Sequence, residues 1–363
     1  MIIKSLELSN YRNYENLNIV FDKSTNILFG NNAQGKTNIL EAIYMSGTSR
    51  SHRGSKDKEI IRFGYDEAHI KSIIEKDNRE FQIDIHLKKN RAKGIAINKI
   101  PIKKAIELFG ILNLVVFSPE DLAIIKNGPS ERRRFMDAEL CQLDKVYLYD
   151  LTIYNKALNQ RNKLLKDINF NPQLKDTLDV WNSQIIDYGR RIISRRRALI
   201  EQLNDIVKPI HENITGGSEN IHIGYEMNVT EEAYEDEFNN STDRDIRFGQ
   251  THIGPHRDDL SFEVNDIDMR KYGSQGQQRT CALSLKLAEI ELVKNSIHEK
   301  PVLLLDDVLS ELDSERQNLL LNQINDIQTI ITCTGVEDFI KNRFKINRIF
   351  QVENATANIK EEL

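Results

Sequence analysis

One short segment limits what this chain can fold into more than any other. It is a complete G-x-x-x-x-G-K-[ST] loop with the residues Gly30-Asn31-Asn32-Ala33-Gln34-Gly35-Lys36-Thr37. The run from Asn26 to Phe29 predicts a strand before the loop, and the residues from Lys36 to about Ser46 predict a helix after it. Backbone N–H groups of such a loop and of the helix N-terminus bind phosphate oxygens. Residues 30–37, called the phosphate loop below, therefore predict a nucleotide site that extends to Asn38.

Two side chains of the phosphate loop have specific roles in this prediction. Lys36 would neutralise the β- and γ-phosphates, and Thr37 would ligate Mg²⁺ through its hydroxyl. The apolar run Val302 to Leu305 predicts a central parallel strand, and it ends in Asp306 and Asp307. Asp306 stands where an acid that faces Mg²⁺ is expected. Asp307 could be the general base for the attacking water, or it could only cap the helix that follows, so the catalytic candidates are Lys36 and Asp307.

A third segment lies directly before a predicted long helix and consists of Ser274, Gln275, Gly276 and Gln277. A hydroxyl, free N–H groups and the positive end of a helix dipole together form an anion site. Because the phosphate loop already holds one triphosphate, this second anion site suggests a nucleotide bound by another subunit. The alternative is that Ser274 is an ordinary helix N-cap.

The hydrophobic pattern changes twice along the chain. Residues 68–97 alternate between apolar and polar and predict an antiparallel β-meander. From about residue 119 the spacing becomes helical, and two stripes separated by Asn171-Pro172 predict an αα-hairpin. The last third reads as helix, strand, helix from Ser314 to Asn325 and strand, which is the order of an α/β sheet.

The charge balance limits how the chain could bind nucleic acid. With 50 Lys+Arg and 55 Asp+Glu, the net charge of −5 argues against binding by bulk charge. Local basic patches are the remaining source of phosphate contacts, with a solvated surface as the alternative. The candidate residues are Arg50, Arg53, Arg132, Arg133, Arg190, Arg191, Arg195 and Arg196.

Other classes of protein are disfavoured. No apolar run approaches the roughly 18 residues that span a bilayer, and the first residues lack a signal-peptide pattern, so we expect a cytoplasmic protein without membrane contact. Cys141, Cys281 and Cys333 lie far apart, which supports neither a disulfide framework nor a cysteine zinc site.

The three motifs, in this order and separated by a helical insertion, resemble the ABC-type ATPase heads of the SMC class. More closely, and over essentially its whole length, the chain resembles the RecF family of bacterial recombination mediators. The further segments that carry this resemblance are Ser9 to Tyr14, Phe117 to Leu122, Gly128 to Asp137, Thr251 to Asp259 and Leu305 to Asp313.

The resemblance implies an α/β fold, namely an ABC/SMC-type P-loop ATPase head with an added antiparallel β-meander and an inserted α-helical lobe. The ATPase lobe would comprise residues 1–118 and 246–363, and the helical lobe residues 119–245. By the resemblance, residues 274–277 are the ABC signature motif, called the signature segment below. It would contact the ATP of the partner in an ATP-dependent homodimer. By analogy with SMC heads, Arg12 would contact nucleotide phosphates, with an ordinary surface arginine as the alternative.

The family also implies binding to duplex DNA near single-strand gaps, and cooperation with RecR and RecO in placing RecA on single-stranded DNA. Two departures from related ATPases predict slow hydrolysis and a switch rather than a motor. Asp307 stands where SMC heads usually have Glu, and residues 331–334 lack the histidine that commonly follows this strand in ABC ATPases. The alternative functions are a nucleotide-binding subunit of a transporter and a small-molecule P-loop phosphotransferase.

Overall fold

The computed structural model describes residues 1–324, 326–335 and 346–360 and divides into two compact units. The first unit comprises Met1–Asp121 together with Glu289–Leu363, and the second comprises Leu122–Ala288. The first unit is therefore assembled from both ends of the chain. Within the described residues, no helix has the length and apolar character needed to cross a bilayer.

The chain combines helices with a mostly parallel central sheet and an antiparallel meander, which confirms the predicted α/β fold class. The strands are β1 Ile2–Tyr11, β2 Tyr14–Val20, β3 Thr25–Phe29, β4 Glu67–Lys76, β5 Arg79–Lys88, β6 Gly94–Ile97, β7 Ile100–Pro101, β8 Leu114–Phe117, β9 Ile221–Glu226, β10 Asp259–Val264, β11 Ile267–Asp268, β12 Val302–Asp306, β13 Thr329–Cys333, β14 Arg348–Glu353 and β15 Thr356–Ile359. The helices are α1 Lys36–Thr48, α2 Asp57–Ile60, α3 Leu122–Lys126, α4 Pro129–Leu143, α5 Lys145–Ile168, α6 Asp179–Ile214, α7 Tyr234–Asn240, α8 Thr242–Phe248, α9 Met269–Tyr272, α10 Gln275–Ile297 and α11 Ser314–Gln323.

The central sheet of the first unit has the strand order β15-β14-β3-β13-β12-β8. Every pairing is parallel except that of β14 with β15. Strands β3, β12 and β13 are mostly apolar and almost entirely buried, as expected for strands covered on both faces. Because β13 lies between β3 and β12 and is parallel to both, the loop after β3 and the acids after β12 emerge at the same edge.

The meander of the first unit has the order β2-β1-β4-β5-β6-β7, with antiparallel pairs throughout. Its alternating pattern places Ile70, Ile83 and Ile85 in one core with Ile39 and Ile43 of α1. The meander therefore buries one face of the helix that follows the phosphate loop, which confirms the predicted antiparallel addition to the ATPase head.

In the second unit, α5 and α6 form the predicted αα-hairpin and are joined by a 3-10 turn at Pro172–Thr177. A small sheet of order β11-β10-β9 completes this unit. The cysteines Cys141 and Cys281 of this unit and Cys333 of the first are buried without a disulfide.

The boundary of the second unit differs from the predicted one, because residues 246–288 belong to it rather than to the ATPase lobe. The reason is that β10 pairs along its whole length with β9, from Asp259 opposite Glu226 to Val264 opposite Ile221. The predicted helix from Ser314 ends at Gln323, and Asn325 lies outside the described residues.

Candidate nucleotide site

The phosphate loop runs from the end of β3 to the first turn of α1, and two of its glycines are required by the backbone. Gly30 has a φ of 152°, and a Cβ there would collide with the carbonyl oxygen of Val352. Gly35 has a φ of 111°, and a Cβ there would lie 2.6 Å from Nδ2 of Asn13 and 2.7 Å from the hydroxyl of Tyr14. Ala33 also has a left-handed φ of 64°, which is uncommon for a residue with a side chain.

Lys36 is buried within the phosphate loop. Its Nζ donates hydrogen bonds to the carbonyl oxygens of Gly30 at 2.6 Å and Asn31 at 2.9 Å. Burial lowers the pKa of the Lys36 amine, and the nearby carboxylate of Asp307 partly opposes this. The amine therefore lies inside the loop that would surround the phosphates.

A cluster of oxygen atoms joins the phosphate loop to the predicted acids. The hydroxyls of Thr37 and Thr332 each donate to Oδ1 of Asp306 at 2.8 Å. The N–H of Asp307 donates to the Thr332 hydroxyl at 3.0 Å. One hydroxyl and one carboxylate at this distance provide oxygen ligands of the kind that Mg²⁺ prefers, so Thr37 and Asp306 fit the ion. Thr332, on β13, was not predicted from the sequence.

Asp307 begins a 3-10 turn with a left-handed φ of 54°. Its carboxylate does not bond to the backbone of that turn, so the alternative of a helix-capping side chain is wrong. The Ser310 hydroxyl instead donates to the Asp307 carbonyl at 2.7 Å. The carboxylate is thus left for other contacts at the end of β12.

A layer of asparagines supports the outer side of the phosphate loop. Nδ2 of Asn13 donates to the carbonyl of Gln34 at 2.9 Å, and Nδ2 of Asn38 donates to Oδ1 of Asn13 at 2.8 Å. The N–H of Asn354 donates to Oε1 of Gln34 at 2.7 Å. The turn between β1 and β2 and the turn between β14 and β15 therefore both fasten Gln34. Asn38 is part of this support.

Arg12, predicted to contact phosphates, pairs with Glu41 of α1. Nε and Nη2 bind the two carboxylate oxygens at 2.8 and 2.6 Å. Nη2 also donates to Ser55 at 2.7 Å, and Nη1 donates to the carbonyl of Glu59 at 3.0 Å. Burial opposes ionisation of Glu41, but hydrogen bonds from Arg12 and Ser51 hold the pKa of that carboxyl below its usual range. All three nitrogen atoms of the guanidinium therefore already donate hydrogen bonds to Glu41, Ser55 or Glu59.

The signature segment forms a capping box at the start of α10. The N–H of Gln277 donates to the hydroxyl of Ser274 at 3.2 Å, and the N–H of Ser274 donates to Oε1 of Gln277 at 3.1 Å. Ser274 is thus an N-cap, and it is exposed together with Gln275 and Gly276. A Cβ on Gly276 would meet only the Ser274 hydroxyl, at 3.9 Å.

Two of the predicted DNA-binding arginines are buried, so that prediction is wrong for them. Arg132 is 1% exposed and binds both carboxylate oxygens of Asp259 at 2.6 and 2.9 Å. Arg196 is 2% exposed and donates to Asp258 at 3.0 Å and to Asp137 at 2.8 Å. Both guanidiniums fasten residues 258 and 259 to the helices of the second unit, which makes them unavailable to phosphates.

The remaining candidate arginines lie nearer the surface. Arg133 donates to the carbonyl of Asp258 at 2.7 Å. The partly exposed Arg190, Arg191 and Arg195 are each ion-paired with carboxylates of the second unit. Arg50 and Arg53 are exposed, and within the described parts of the chain neither forms an ion pair.

The similarity to known proteins extends along the whole chain. Residues 2–358 match the sequence family described as RecF/RecN/SMC N terminal domain. The DNA replication and repair protein RecF of Agathobacter rectalis is 62% identical over 362 residues, which is 100% of each chain. A solved structure of the recombination mediator protein RecF with ATP, in the RecFOR pathway, is 35% identical with a TM-score of 0.90 and covers 99% of both chains. The Smc head domain of Pyrococcus furiosus, at 16% identity and a TM-score of 0.57 over 99% of this chain and 95% of that one, shares the fold.

Proposed function

The chain belongs to the RecF family of SMC-type ABC ATPases, and from this premise we propose that it is an ATP-dependent DNA-binding protein of recombinational repair and replication restart. ATP drives two copies together on DNA near single-strand gaps, and slow hydrolysis separates them. The observation that carries the ATPase half of this proposal is the bond between Thr37 and Asp306 beside the phosphate loop. These are the residues that would share one Mg²⁺.

The proposed mechanism assigns separate tasks to four side chains. Lys36, which donates to loop carbonyls, turns its amine to the β- and γ-phosphates. Thr37 and Asp306 would hold Mg²⁺, which would supply positive charge against the phosphate oxygens. Asp307 accepts a proton from the attacking water. Its carboxylate is one methylene shorter than glutamate, so its reach is short and we expect a weak ATPase that acts as a switch.

The role of the signature segment in the partner's site is supported by Gly276. Glycine in a helix is less stable than alanine by up to about 1 kcal/mol, and no neighbour within the described chain leaves too little space for a Cβ. A glycine that the chain itself does not need suggests close approach by a group from outside. Ser274 and Gly276 would contact the γ-phosphate bound by the other subunit.

The partners of the proposed function come from the family. The solved relative is described as part of the RecFOR pathway. We therefore propose that this chain binds duplex and gapped DNA in the cytoplasm and works with RecR and RecO to load RecA. Arg50 and Arg53 are the candidate phosphate contacts that are exposed and form no ion pair within the described chain.

Sedimentation with and without ATP, each with and without duplex DNA, tests the proposal. We expect an ATP-dependent dimer that retains duplex, and we expect both properties to be lost in Lys36→Met, which removes the amine from the phosphate loop. ATP binding without a dimer and without DNA retention would overturn the proposal. Phosphate transfer to a small molecule rather than to water would favour a phosphotransferase instead.

A further inference from the structure

A chain of polar side chains leads from the signature segment into the core of the second unit. Nε2 of Gln277 donates to Oε1 of Glu219 at 2.9 Å, and Oε2 of Glu219 lies 3.3 Å from Nε2 of His211. Nδ1 of His211 lies 2.9 Å from the hydroxyl of Ser284 on α10. His211 and Ser284 are fully buried, whereas the Glu219 side chain is 18% exposed. The chain of contacts thus begins and ends on α10 and passes through Glu219.

The Glu219 carboxylate is held in place by the loop that carries it. This loop joins α6 to β9 through Gly216 and Gly217, whose φ values of 61° and 79° suit glycine. The side chain of Asn265 accepts from the N–H of Asn220 at 2.9 Å and donates to the carbonyl of Ser218 at 3.3 Å. Backbone on both sides of Glu219 is therefore tied to the β10–β11 turn.

The contact with Glu219 determines how Gln277 is oriented. The amide has one acceptor and one donor group, and the capping box uses the acceptor, Oε1, for the N–H of Ser274. The donor, Nε2, is then directed to Glu219. Glu219 consequently fixes the side chain that in turn holds Ser274.

We propose that Glu219 is a positioning residue for the signature segment, which it holds through Gln277 in the conformation that receives the partner's nucleotide. This inference rests on the proposed function, because it assigns a second role within the same ATP-dependent dimer. Glu219 lies 58 residues before Gln277 in the sequence and outside the motifs identified there. It touches no nucleotide in this role and acts only through Gln277.

The hydrogen positions explain why glutamine should replace Glu219 with little loss. Burial lowers the pKa of His211, so the neutral ring donates from Nε2 to Glu219 and accepts from the Ser284 hydroxyl at Nδ1. In Glu219→Gln, the amide oxygen still accepts from Gln277. The new NH₂ group donates to Nε2 of the other His211 tautomer. Ser284 can then donate to the carbonyl of Thr280, which lies 2.9 Å away.

The test compares Glu219→Ala and Glu219→Gln with a matched control, Glu212→Ala. Glu212 is an exposed glutamate next to His211 in α6, and among the described residues its side chain forms no hydrogen bond or ion pair with α10. We expect Glu219→Ala to weaken the ATP-dependent dimer about tenfold and to leave ATP binding by the monomer unchanged. Glu219→Gln should stay within about twofold of the unchanged chain, as should the control. Equal dimerisation in Glu219→Ala and the unchanged chain would overturn the proposal.

Hydrogen exchange of the monomer makes the test independent of the dimer. Residues 274–278 should exchange faster in Glu219→Ala than in Glu212→Ala, and Glu219→Gln should restore the slow rate.

If the unchanged chain forms no ATP-dependent dimer, the proposed function fails, and the exchange rates still decide whether Glu219 positions the segment. If Glu219→Ala melts early, Glu219→Asp takes its place, because it keeps the charge and retracts the carboxylate by one methylene. Unchanged exchange in the folded variant would overturn the inference.

Discussion

The hydroxyl of Thr37 donates to Oδ1 of Asp306 across 2.8 Å, although 269 residues separate the two in the sequence. The contact follows from the parallel register, in which Leu28 pairs with Thr332 and Thr332 pairs with Asp306. Thr332 thus occupies the middle strand between the phosphate loop and the acid. Its hydroxyl donates to Asp306 and accepts from the N–H of Asp307.

Thr332→Val is expected to lower Mg²⁺-dependent ATP hydrolysis about tenfold, because it removes one bond to Asp306 and leaves the N–H of Asp307 without an acceptor. Titration of the hydrolysis rate with Mg²⁺ should show a higher half-saturating concentration. Thr332→Ser keeps the hydroxyl and serves as the control. An unchanged Mg²⁺ titration in Thr332→Val would contradict the assigned contact between Thr332 and Asp306.

Asp307→Asn is expected to reduce the single-turnover hydrolysis rate about 100-fold or more, since general-base catalysis typically contributes 10²–10⁴. ATP binding and the ATP-dependent dimer should persist, because Lys36, Thr37 and the signature segment are untouched. Quenched-flow measurement of phosphate release, with sedimentation alongside, separates the two effects. Hydrolysis at the original rate would exclude Asp307 as the base.

Replacing Arg50 and Arg53 with Gln is expected to weaken duplex binding and to lower the slope of log affinity against log salt by about one per residue. Arg190→Gln, at a position already paired with Glu235, is the comparison and should change the slope less. Binding isotherms at several salt concentrations give these slopes. Identical slopes in the unchanged chain, the double variant and Arg190→Gln would show that the DNA contacts lie elsewhere.

Protonation of His256 should destabilise the native chain in mild acid. The partly buried ring accepts from the Tyr154 hydroxyl at 2.6 Å and donates to the carbonyl of Thr251 at 3.1 Å, so its neutral form satisfies both nitrogens. Burial lowers the pKa of His256 from 6.5 to about 4, with Arg257, Arg133 and Arg196 adding to the effect. Below pH 6.5 the unfolded chain takes up a proton that the native chain refuses until about pH 4. The free energy of unfolding should therefore fall by about 3 kcal/mol across this range.

Denaturant titrations of the unchanged chain and of His256→Gln between pH 7.5 and pH 4 measure this contribution. The variant should be less stable at pH 7.5, because it loses the ring contacts. The difference between the two proteins should shrink as the pH falls. A difference that stays constant would show that the pKa of His256 is the same in the native and the unfolded chain.

The sequence predicted the parts of the site that lie within short motifs. The phosphate loop and the acids after β12 each have a local pattern, and the strand order brings Thr37 and Asp306 together as the resemblance implies. No role was predicted for Thr332 or Asn13, because their roles depend on register and on a neighbouring turn. A threonine in an apolar strand, or an asparagine in a hairpin turn, has no sequence signal of its own.

The runs of basic residues predicted the DNA-binding side chains poorly, because a charge pattern does not reveal which face of a helix is covered. Arg132 and Arg196 lie in runs of arginine that are typical of a phosphate-binding face. In the folded chain they neutralise Asp259 and Asp258, which follow the 3-10 turn at Pro255–Arg257. A buried guanidinium needs a carboxylate nearby, and only the tertiary structure brings the pair together.

Gly276 has a consequence for anyone who engineers this chain. A search for higher thermal stability in the isolated monomer would select alanine there, because the helix gains and nothing within the described chain obstructs the methyl group. In the proposed dimer, the same methyl group would stand between the helix end and the phosphate bound by the second copy. Selection for monomer stability and the proposed dimerisation therefore favour different residues at this exposed position, and a melting curve alone would record a loss of dimerisation as a gain in stability.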